Sequence, residues 1–141
     1  TKPEVVVETG THAGHGTKAF AEGLRLNDRG HLWTVEKSPE LVEQLKEVEL
    51  ERTTFVAADS IEWSGGPDCP EAIDFAYVDC SSSGKDRAIV FRNLLPRITE
   101  GGLIACHDTY FFEGYLDRLV DIAGPYSIHF PSLNGVTLWR S

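Results

Sequence analysis

The chain has 141 residues, of which 41% are hydrophobic and 25% charged, and this composition indicates one globular domain covering residues 1–141. The formal net charge is −9 and the 13 lysine and arginine residues form no basic cluster, which argues against a nucleic acid as its partner. No apolar run reaches the roughly 20 residues of a membrane helix, and no signal peptide opens the sequence, so we expect a cytoplasmic protein that binds no membrane. The three cysteines share no metal-ligand spacing and are expected to be buried thiols.

Strand-like and helix-like segments alternate along the chain with short connections. β-branched and aromatic residues mark the strands, whereas apolar residues at helical spacing mark the helices. Ser38 and Pro39 are typical of a helix cap and its first residue, and Gly124 with Pro125 is typical of a helix end. Predicted strands cover 5–7, 31–35, 53–58, 73–78, 103–106, 127–130 and 136–139. Predicted helices cover 17–26, 39–48, 86–95 and 112–123, and 64–70 is predicted to be loop.

A glycine-rich turn follows the first predicted strand. An acidic residue, Glu8, stands two places before Gly10, and further glycines follow at positions 14 and 16. Such glycines let the chain bend sharply and let a ligand approach backbone N–H groups. The spacing matches neither the dinucleotide fingerprint nor a phosphate-binding loop. It resembles motif I of the class I S-adenosylmethionine-dependent methyltransferases. This resemblance implies that the cofactor, S-adenosyl-L-methionine, contacts Glu8, Thr9, Gly10, Thr11, Gly14 and Thr17.

The order of the predicted elements agrees with this resemblance. Repeated strand–helix units predict a parallel sheet with helices on both faces. A pair of strands after the last helix is unusual for a nicotinamide-binding Rossmann domain, but it resembles the methyltransferase sheet, in which a seventh strand lies antiparallel beside the fifth. The expected fold is therefore α/β: a Rossmann-like class I methyltransferase fold with a seven-stranded, mostly parallel sheet, an antiparallel terminal strand and helices on both faces.

Ligands of such open sheets bind outside the carboxyl ends of the strands. Glu36 ends the second predicted strand, and its carboxylate could accept hydrogen bonds from both ribose hydroxyls of a cofactor. The alternative is a surface acid at the start of a helix. Asp59 ends the third strand and resembles the methyltransferase residue that reads the adenine amino group, although it could simply cap a turn. The expected cofactor site is completed by Lys37 and Ser60, which follow these acids, and by Asp79 at the end of the fourth predicted strand.

Acidic residues also end the fourth and fifth predicted strands, at Asp79 and at the pair His107-Asp108. Neighbouring strands lie roughly 5 Å apart, so we expect the two aspartates to converge beyond the cofactor's methyl group. Two carboxylates there could hold a divalent cation such as Mg²⁺, which would bind an acceptor hydroxyl and lower its pKa. The alternative is that Asp79 bonds only to backbone and that His107 begins a loop.

This part of the chain is similar to small-molecule O-methyltransferases of the catechol and caffeoyl-coenzyme A type, and to their bacterial relatives that act on sugars or secondary metabolites. The similarity lies in residues 78–79, 85–87, 94–96 and 101–108. In metal-dependent members an Asp and an Asp-Asn pair hold Mg²⁺, at positions that correspond to Asp79, His107 and Asp108. Mg²⁺ accepts imidazole poorly, so three alternatives stay open: a softer ion, a metal on the two aspartates alone, or His107 as a general base without metal.

Together these patterns predict an enzyme that transfers a methyl group from S-adenosyl-L-methionine to a hydroxyl of a small molecule, with His107, Asp108 and Asp79 as catalytic residues. A non-catalytic S-adenosylmethionine-binding or interaction module is the main alternative. An NAD(P)-dependent Rossmann oxidoreductase is disfavoured by the glycine spacing. Few segments are long enough to recognise an acceptor. If the natural N-terminus is also this short, we expect either a small acceptor or a homodimer in which a second subunit completes the site.

Overall fold

A seven-stranded sheet forms the centre of the protein, of which a computed structural model describes residues 2–141. Its strands are β1 (Val5–Thr9), β2 (His31–Glu36), β3 (Thr53–Ala57), β4 (Ile73–Val78), β5 (Ile98–His107), β6 (Ile128–Phe130) and β7 (Val136–Arg140). Their order across the sheet is β3-β2-β1-β4-β5-β7-β6. The first five strands pair in parallel, whereas β7 runs antiparallel to both β5 and β6. The predicted sheet, including the antiparallel strand beside the fifth, is confirmed.

Helices connect the strands within the described part of the chain. They are α1 (His15–Asn27), α2 (Pro39–Lys46), α3 (Ser60–Gly65), α4 (Gly84–Leu94) and α5 (Tyr115–Ala123), with a 3₁₀ turn at Leu95–Arg97. Ser38 caps α2 as predicted, since its side chain accepts a hydrogen bond from the backbone N–H of Leu41. Val48, expected to continue this helix, lies beyond its end and is exposed. Over residues 2–141 the helices include none long and apolar enough to cross a bilayer.

The two faces of the sheet carry separate apolar clusters. Val6 and Val7 are consecutive in β1 and therefore point to opposite faces. Val6 packs in a small cluster with Leu24 of α1, whereas Val7 belongs to the larger core that includes Phe91 of α4 and Leu119 of α5. Each such side chain, fully buried, contributes about 1.5–3 kcal/mol. All three cysteines are buried free thiols, as expected.

The segment after β3 differs from the prediction, because Ser64 and Gly65 belong to α3 and not to a loop. Two features account for this short helix. The carboxylate of Asp59 accepts a hydrogen bond from the backbone N–H of Ile61 at 2.8 Å, which caps the helix. Trp63, only 6% exposed, then anchors the helix in the core.

The start of β5 also differs, because the strand begins at Ile98, before the predicted start at residue 103, and includes Gly101 and Gly102. The pairing with β4 shifts here: Ile73 pairs with Ile98, but Phe75 pairs with Leu103. The extra residues of β5 bulge out of register, and Gly101 accommodates the bulge with φ 75°. The helix expected over 112–123 begins only at Tyr115, because Gly114 precedes it in a left-handed conformation.

Candidate active site

The carboxyl ends of β1 to β4 surround a cleft at one edge of the sheet. Its lining residues are Gly10, Val35, Glu36, Lys37, Asp59, Ser60, Ile61, Cys80, Ser81 and Asp86. Several of them belong to the predicted cofactor site: Gly10, Glu36, Lys37, Asp59 and Ser60. Three carboxylates and one ammonium group stand among the lining side chains, so the cleft is acidic. This is the position at which open α/β sheets bind their ligands.

The carboxylate of Glu36 is fixed at the rim of this cleft by two backbone groups. Its Oε2 accepts a hydrogen bond from the N–H of His12 at 3.0 Å, and its Oε1 accepts one from the N–H of Ser38 at 3.1 Å. Each carboxylate oxygen has further acceptor capacity, so two hydroxyl groups can still be received. Glu36 is therefore more than a solvated acid at the start of a helix, and its bond to His12 links it to the glycine loop.

Asp59 caps a helix and also borders the cleft. Its Oδ1 accepts from the backbone N–H groups of Ile61 and Glu62, at 2.8 and 3.4 Å, and so caps α3. Asp59 also lines the cleft. Since both capping bonds use the same oxygen, Oδ2 has no part in them and can accept from an amino group.

Glycine is required at position 10 of the loop after β1. Gly10 has φ 91°, and a Cβ atom there would lie 2.4 Å from the carbonyl oxygen of Asp79. The loop thus packs directly against the end of β4. Gly14, with φ 74°, places the chain for the start of α1.

A buried hydroxyl and carboxylate network lies behind this loop. Glu8 is 2% exposed, and its Oε2 accepts hydrogen bonds from Thr17 and Thr34, at 2.5 and 2.7 Å. The hydroxyl of Thr34 also bonds to that of Thr11 at 2.6 Å. Burial raises the pKa of the Glu8 carboxyl above its ordinary value. The network joins β1, β2 and α1. The predicted cofactor residues that do not line the cleft are Glu8, Thr9, Thr11, Gly14, Thr17 and Asp79.

Asp79, His107 and Asp108 converge at the ends of β4 and β5, as the sequence predicts. The Nδ1 atom of His107 lies 3.2 Å from Oδ1 of Asp79 and 3.2 Å from Oδ1 of Asp108. An N–H group at Nδ1 can donate to these carboxylate oxygens, and the tautomer with its proton there has Nε2 as an acceptor. The side-chain amide of Asn134 donates to Asp108 at 2.9 Å. Burial raises the pKa of the Asp79 carboxyl, although His107 and Arg87 oppose this rise.

Arg87 is the residue of this cluster that the sequence reading left without a role. Its guanidinium is buried, and its Nη1 donates to Oδ1 of Asp79 at 2.8 Å and lies 3.2 Å from Oδ2 of Asp108. The same nitrogen donates to the carbonyl oxygen of His107 at 3.2 Å, and Nε donates to that of Ser81 at 2.9 Å. Lys85, which belongs to the stretch 85–87 that is similar to small-molecule O-methyltransferases, is exposed.

The cluster was also expected to hold a divalent cation. One ligand atom from each of Asp79, His107 and Asp108 lies within 4.8 Å of the others, which is close enough for a single ion. However, the positive guanidinium of Arg87 already contacts one oxygen of each aspartate. A divalent cation that bridged the two carboxylates would lie beside this guanidinium, and the repulsion between their positive charges disfavours a metal while Arg87 keeps this position.

Strained backbone occurs at three non-glycine residues around the cleft and the cluster. His12, Ser81 and Asp108 have φ values of 44°, 64° and 58°. Each follows a different strand, β1, β4 or β5, and each stands beside a residue described above. Left-handed conformations at such residues cost about 1–3 kcal/mol and are concentrated at functional sites.

Two aromatic side chains complete the surroundings of the cluster. The ring of Tyr77 lies 6.2 Å from that of His107, and Phe112 lies under the guanidinium of Arg87 at 4.9 Å. Burial and nearby carboxylates raise the pKa of Tyr77 well above its ordinary range. The position of Tyr77 near this cluster could have been predicted from the sequence. Tyr77 lies in β4 two residues before Asp79, so the two side chains point to the same side of the sheet.

The fold is that of a Rossmann-like domain of the methyltransferase class. The family described as "Methyltransferase domain" matches residues 7–109, and the chain belongs to this family. The match includes both the glycine loop and the His107 cluster. Among curated proteins, none matches the chain.

Solved structures of methyltransferases share the fold at low identity. The SAH-bound methyltransferase PaMTH1 of Podospora anserina is 18% identical, with a TM-score of 0.77, over 97% of this chain and 71% of that one. The O-methyltransferase TomG of Streptomyces achromogenes, in complex with SAM, is 17% identical, with a TM-score of 0.77, over 97% and 72%. The N-methyltransferase NodS of Bradyrhizobium japonicum is 14% identical, with a TM-score of 0.70, over 99% and 86%.

Proposed function

We propose that this protein transfers a methyl group from S-adenosyl-L-methionine to a hydroxyl oxygen of a small molecule. The observation that carries the proposal is the adjacency of the acidic cleft and the histidine cluster: Cys80 lines the cleft, and Asp79, next to it in the chain, bonds to His107. Membership of the methyltransferase domain family supports the reaction type. The structures of PaMTH1 and TomG, which hold SAH and SAM, support the cofactor.

The cleft suits the adenosine part of this cofactor. Glu36 offers two oriented oxygens to the ribose hydroxyls, and Asp59 offers its second oxygen to the adenine amino group. Val35 and Ile61 provide apolar surface between these two acids. The backbone of the loop at Gly10 borders the same cleft, on the side of Asp79. When bound, S-adenosyl-L-methionine supplies an electrophilic methyl group attached to a sulfonium.

His107 is the general base of the proposed reaction. Asp79 and Asp108 hold the proton on Nδ1, so Nε2 can take the proton of the acceptor hydroxyl as the oxygen–methyl bond forms and the sulfur–methyl bond breaks. This division of labour is the one by which a buried carboxylate orients a catalytic histidine in other enzymes. Alignment of acceptor oxygen and methyl group supplies the remainder of the rate enhancement.

The acceptor side of the site is rich in exposed aromatic surface. Tyr110 and Phe111, which follow Asp108 almost directly, are 51% and 64% exposed. Large exposed apolar side chains beside a catalytic group are typical of a ligand site. We therefore propose a small acceptor with an apolar or aromatic body that carries a hydroxyl group.

Calorimetric titration with S-adenosylhomocysteine tests the cofactor. Wild type should bind it, and Glu36→Ala should weaken binding at least tenfold, about 1.4 kcal/mol. Glu43→Ala is the matched control, because Glu43 is an exposed glutamate on the neighbouring helix α2 and does not line the cleft. Absence of binding by folded wild type would overturn the proposal. Equal loss in both variants would mean that the Glu36 carboxylate has no special contact with ribose.

A further inference from the structure

We propose that Arg87 takes the place of a divalent cation at this site: its guanidinium is the fixed positive charge between Asp79 and Asp108, and the enzyme needs no metal ion. The inference rests on the proposed function for its catalytic meaning, but its charge arrangement is independent of the cofactor. Arg87 is a positioning residue, since it contacts the two acids that hold His107 and not the acceptor itself.

The hydrogen bonds of Arg87 connect every part of the cluster. One nitrogen, Nη1, reaches a carboxylate oxygen of both aspartates and the backbone carbonyl of His107. Nε donates a hydrogen bond to the carbonyl oxygen of Ser81, a residue that lines the cleft. A single guanidinium therefore spans the ends of β4 and β5 and the loop between the cleft and α4. A metal ion bound to the two carboxylates would occupy the same central position.

Arg87 is firmly held in this position. Its side chain is 6% exposed and lies against the ring of Phe112. It stands in the first turn of α4, where its N–H donates to the carbonyl oxygen of Ser83. The start of this helix packs tightly against α5, because a Cβ atom on Gly84 would lie 2.9 Å from the Cβ of Tyr115. Arginine does not lose its charge by deprotonation. Movement of the guanidinium would therefore separate its charge from the two carboxylates and leave them without their partner.

Arg87 balances one of the two carboxylate charges of the cluster without a cation from solution. Two carboxylates face one permanent positive charge and the N–H of the His107 ring. Adding a divalent cation while Arg87 stays would place like charges in contact. Removing Arg87 would instead leave two carboxylates within reach of one another and of His107, which is the donor set that a metal ion prefers.

Binding of Mn²⁺, followed by electron paramagnetic resonance, tests this inference without any need for an acceptor. Wild type should bind no stoichiometric Mn²⁺ up to about 1 mM, the weak end of protein cation sites. Arg87→Gln, which frees both carboxylates, should gain a site that Asp79→Asn in the same background removes. Arg87→Lys, which retains the charge, should stay unable to bind the ion.

Wild type alone keeps the test decisive if Arg87→Gln does not fold. Stoichiometric Mn²⁺ binding by wild type that is lost in Asp79→Asn would overturn the inference, and so would a folded Arg87→Gln that gains no site. Titration of the same samples with S-adenosylhomocysteine separates the two proposals. Failure of that titration contradicts the proposed function and leaves the Mn²⁺ result unaffected.

Discussion

Nδ1 of His107 lies 3.2 Å from Oδ1 of Asp79, so the end of β5 is hydrogen-bonded through side chains to the end of β4. This contact fixes the orientation of the His107 ring. The same oxygen of Asp79 accepts from Arg87. The orientation of the His107 ring is thus set by the carboxylate of Asp79, which is itself held by Arg87.

His107→Gln is expected to lower kcat by about 10²–10⁴-fold, because glutamine cannot take a proton from the acceptor. Affinity for S-adenosylhomocysteine should be unchanged, since His107 does not line the cleft. A methyl-transfer assay with a hydroxylated acceptor measures the effect. His15→Gln is the control, because His15 is an exposed histidine at the start of α1. Full activity in His107→Gln would contradict the general-base role.

The two roles of Asp59 can be separated by a pair of substitutions. Asp59→Asn retains a capping oxygen for Ile61 and should leave stability almost unchanged, but it should weaken binding of S-adenosylhomocysteine by removing the second acceptor oxygen. Asp59→Ala should weaken binding as well and cost about 0.5–2 kcal/mol of stability. Urea denaturation and calorimetry measure the two effects. Wild-type affinity in Asp59→Asn would show that Asp59 serves only as a cap.

Gly10→Ala should be more damaging than a substitution at another left-handed glycine. The left-handed conformation alone costs an alanine about 1–2 kcal/mol, and at position 10 the new Cβ would also overlap the carbonyl of Asp79. Gly114→Ala is the matched control, since Gly114 has φ 65° with nothing within 4 Å of a Cβ. Denaturant unfolding compares them. Equal losses of stability would mean that the loop can move away from β4 at no cost.

Glu8→Gln should change how stability depends on pH. Burial raises the pKa of Glu8 in the folded protein above its ordinary value of 4.5. The folded state therefore binds this proton more tightly than the unfolded state, and wild type loses stability as pH rises from 4.5 through the raised pKa. Glutamine keeps an acceptor for Thr17 and has no proton to lose, so the variant should lack this decrease.

Urea unfolding from acid to neutral pH, with wild type and Glu8→Gln in parallel, measures the difference. Subtraction removes the contributions of the other carboxyl groups, among them Asp79, whose pKa is also raised. A constant difference in stability across the whole range would contradict the assignment of a raised pKa to Glu8.

The fold followed from the sequence because its strands are short apolar runs with clear boundaries. Ile73–Val78 is observed where it was predicted, between a proline-rich loop and a run of serines. The bulge at Gly101 was not predicted, because it depends on the register between β4 and β5. That register is determined by the pairing of the two strands and not by the sequence of either strand alone. Val48 was misassigned for a similar reason, since helical spacing continues past the point at which contacts with the core end.

The candidate site was predictable where a residue ends a strand. Glu36 and Asp59 could be placed at the cleft, and Asp79 beside His107, since parallel strands finish at a common edge. Arg87 could not be placed, because its contacts depend on how the first turn of α4 packs against the ends of β4 and β5. Likewise, the sequence could not show that Glu8 faces Thr17 behind the loop and not the cleft in front of it.

The acidic lining of the cleft has a consequence for turnover under the proposed function. The sulfonium form of the cofactor carries one more positive charge than the thioether left after transfer. Glu36, Asp59 and Asp86 favour the charged form over the neutral one, and Lys37 offsets only part of their field. Methyl transfer removes this positive charge. The acidic cleft therefore holds the product, S-adenosylhomocysteine, less strongly than it holds S-adenosyl-L-methionine.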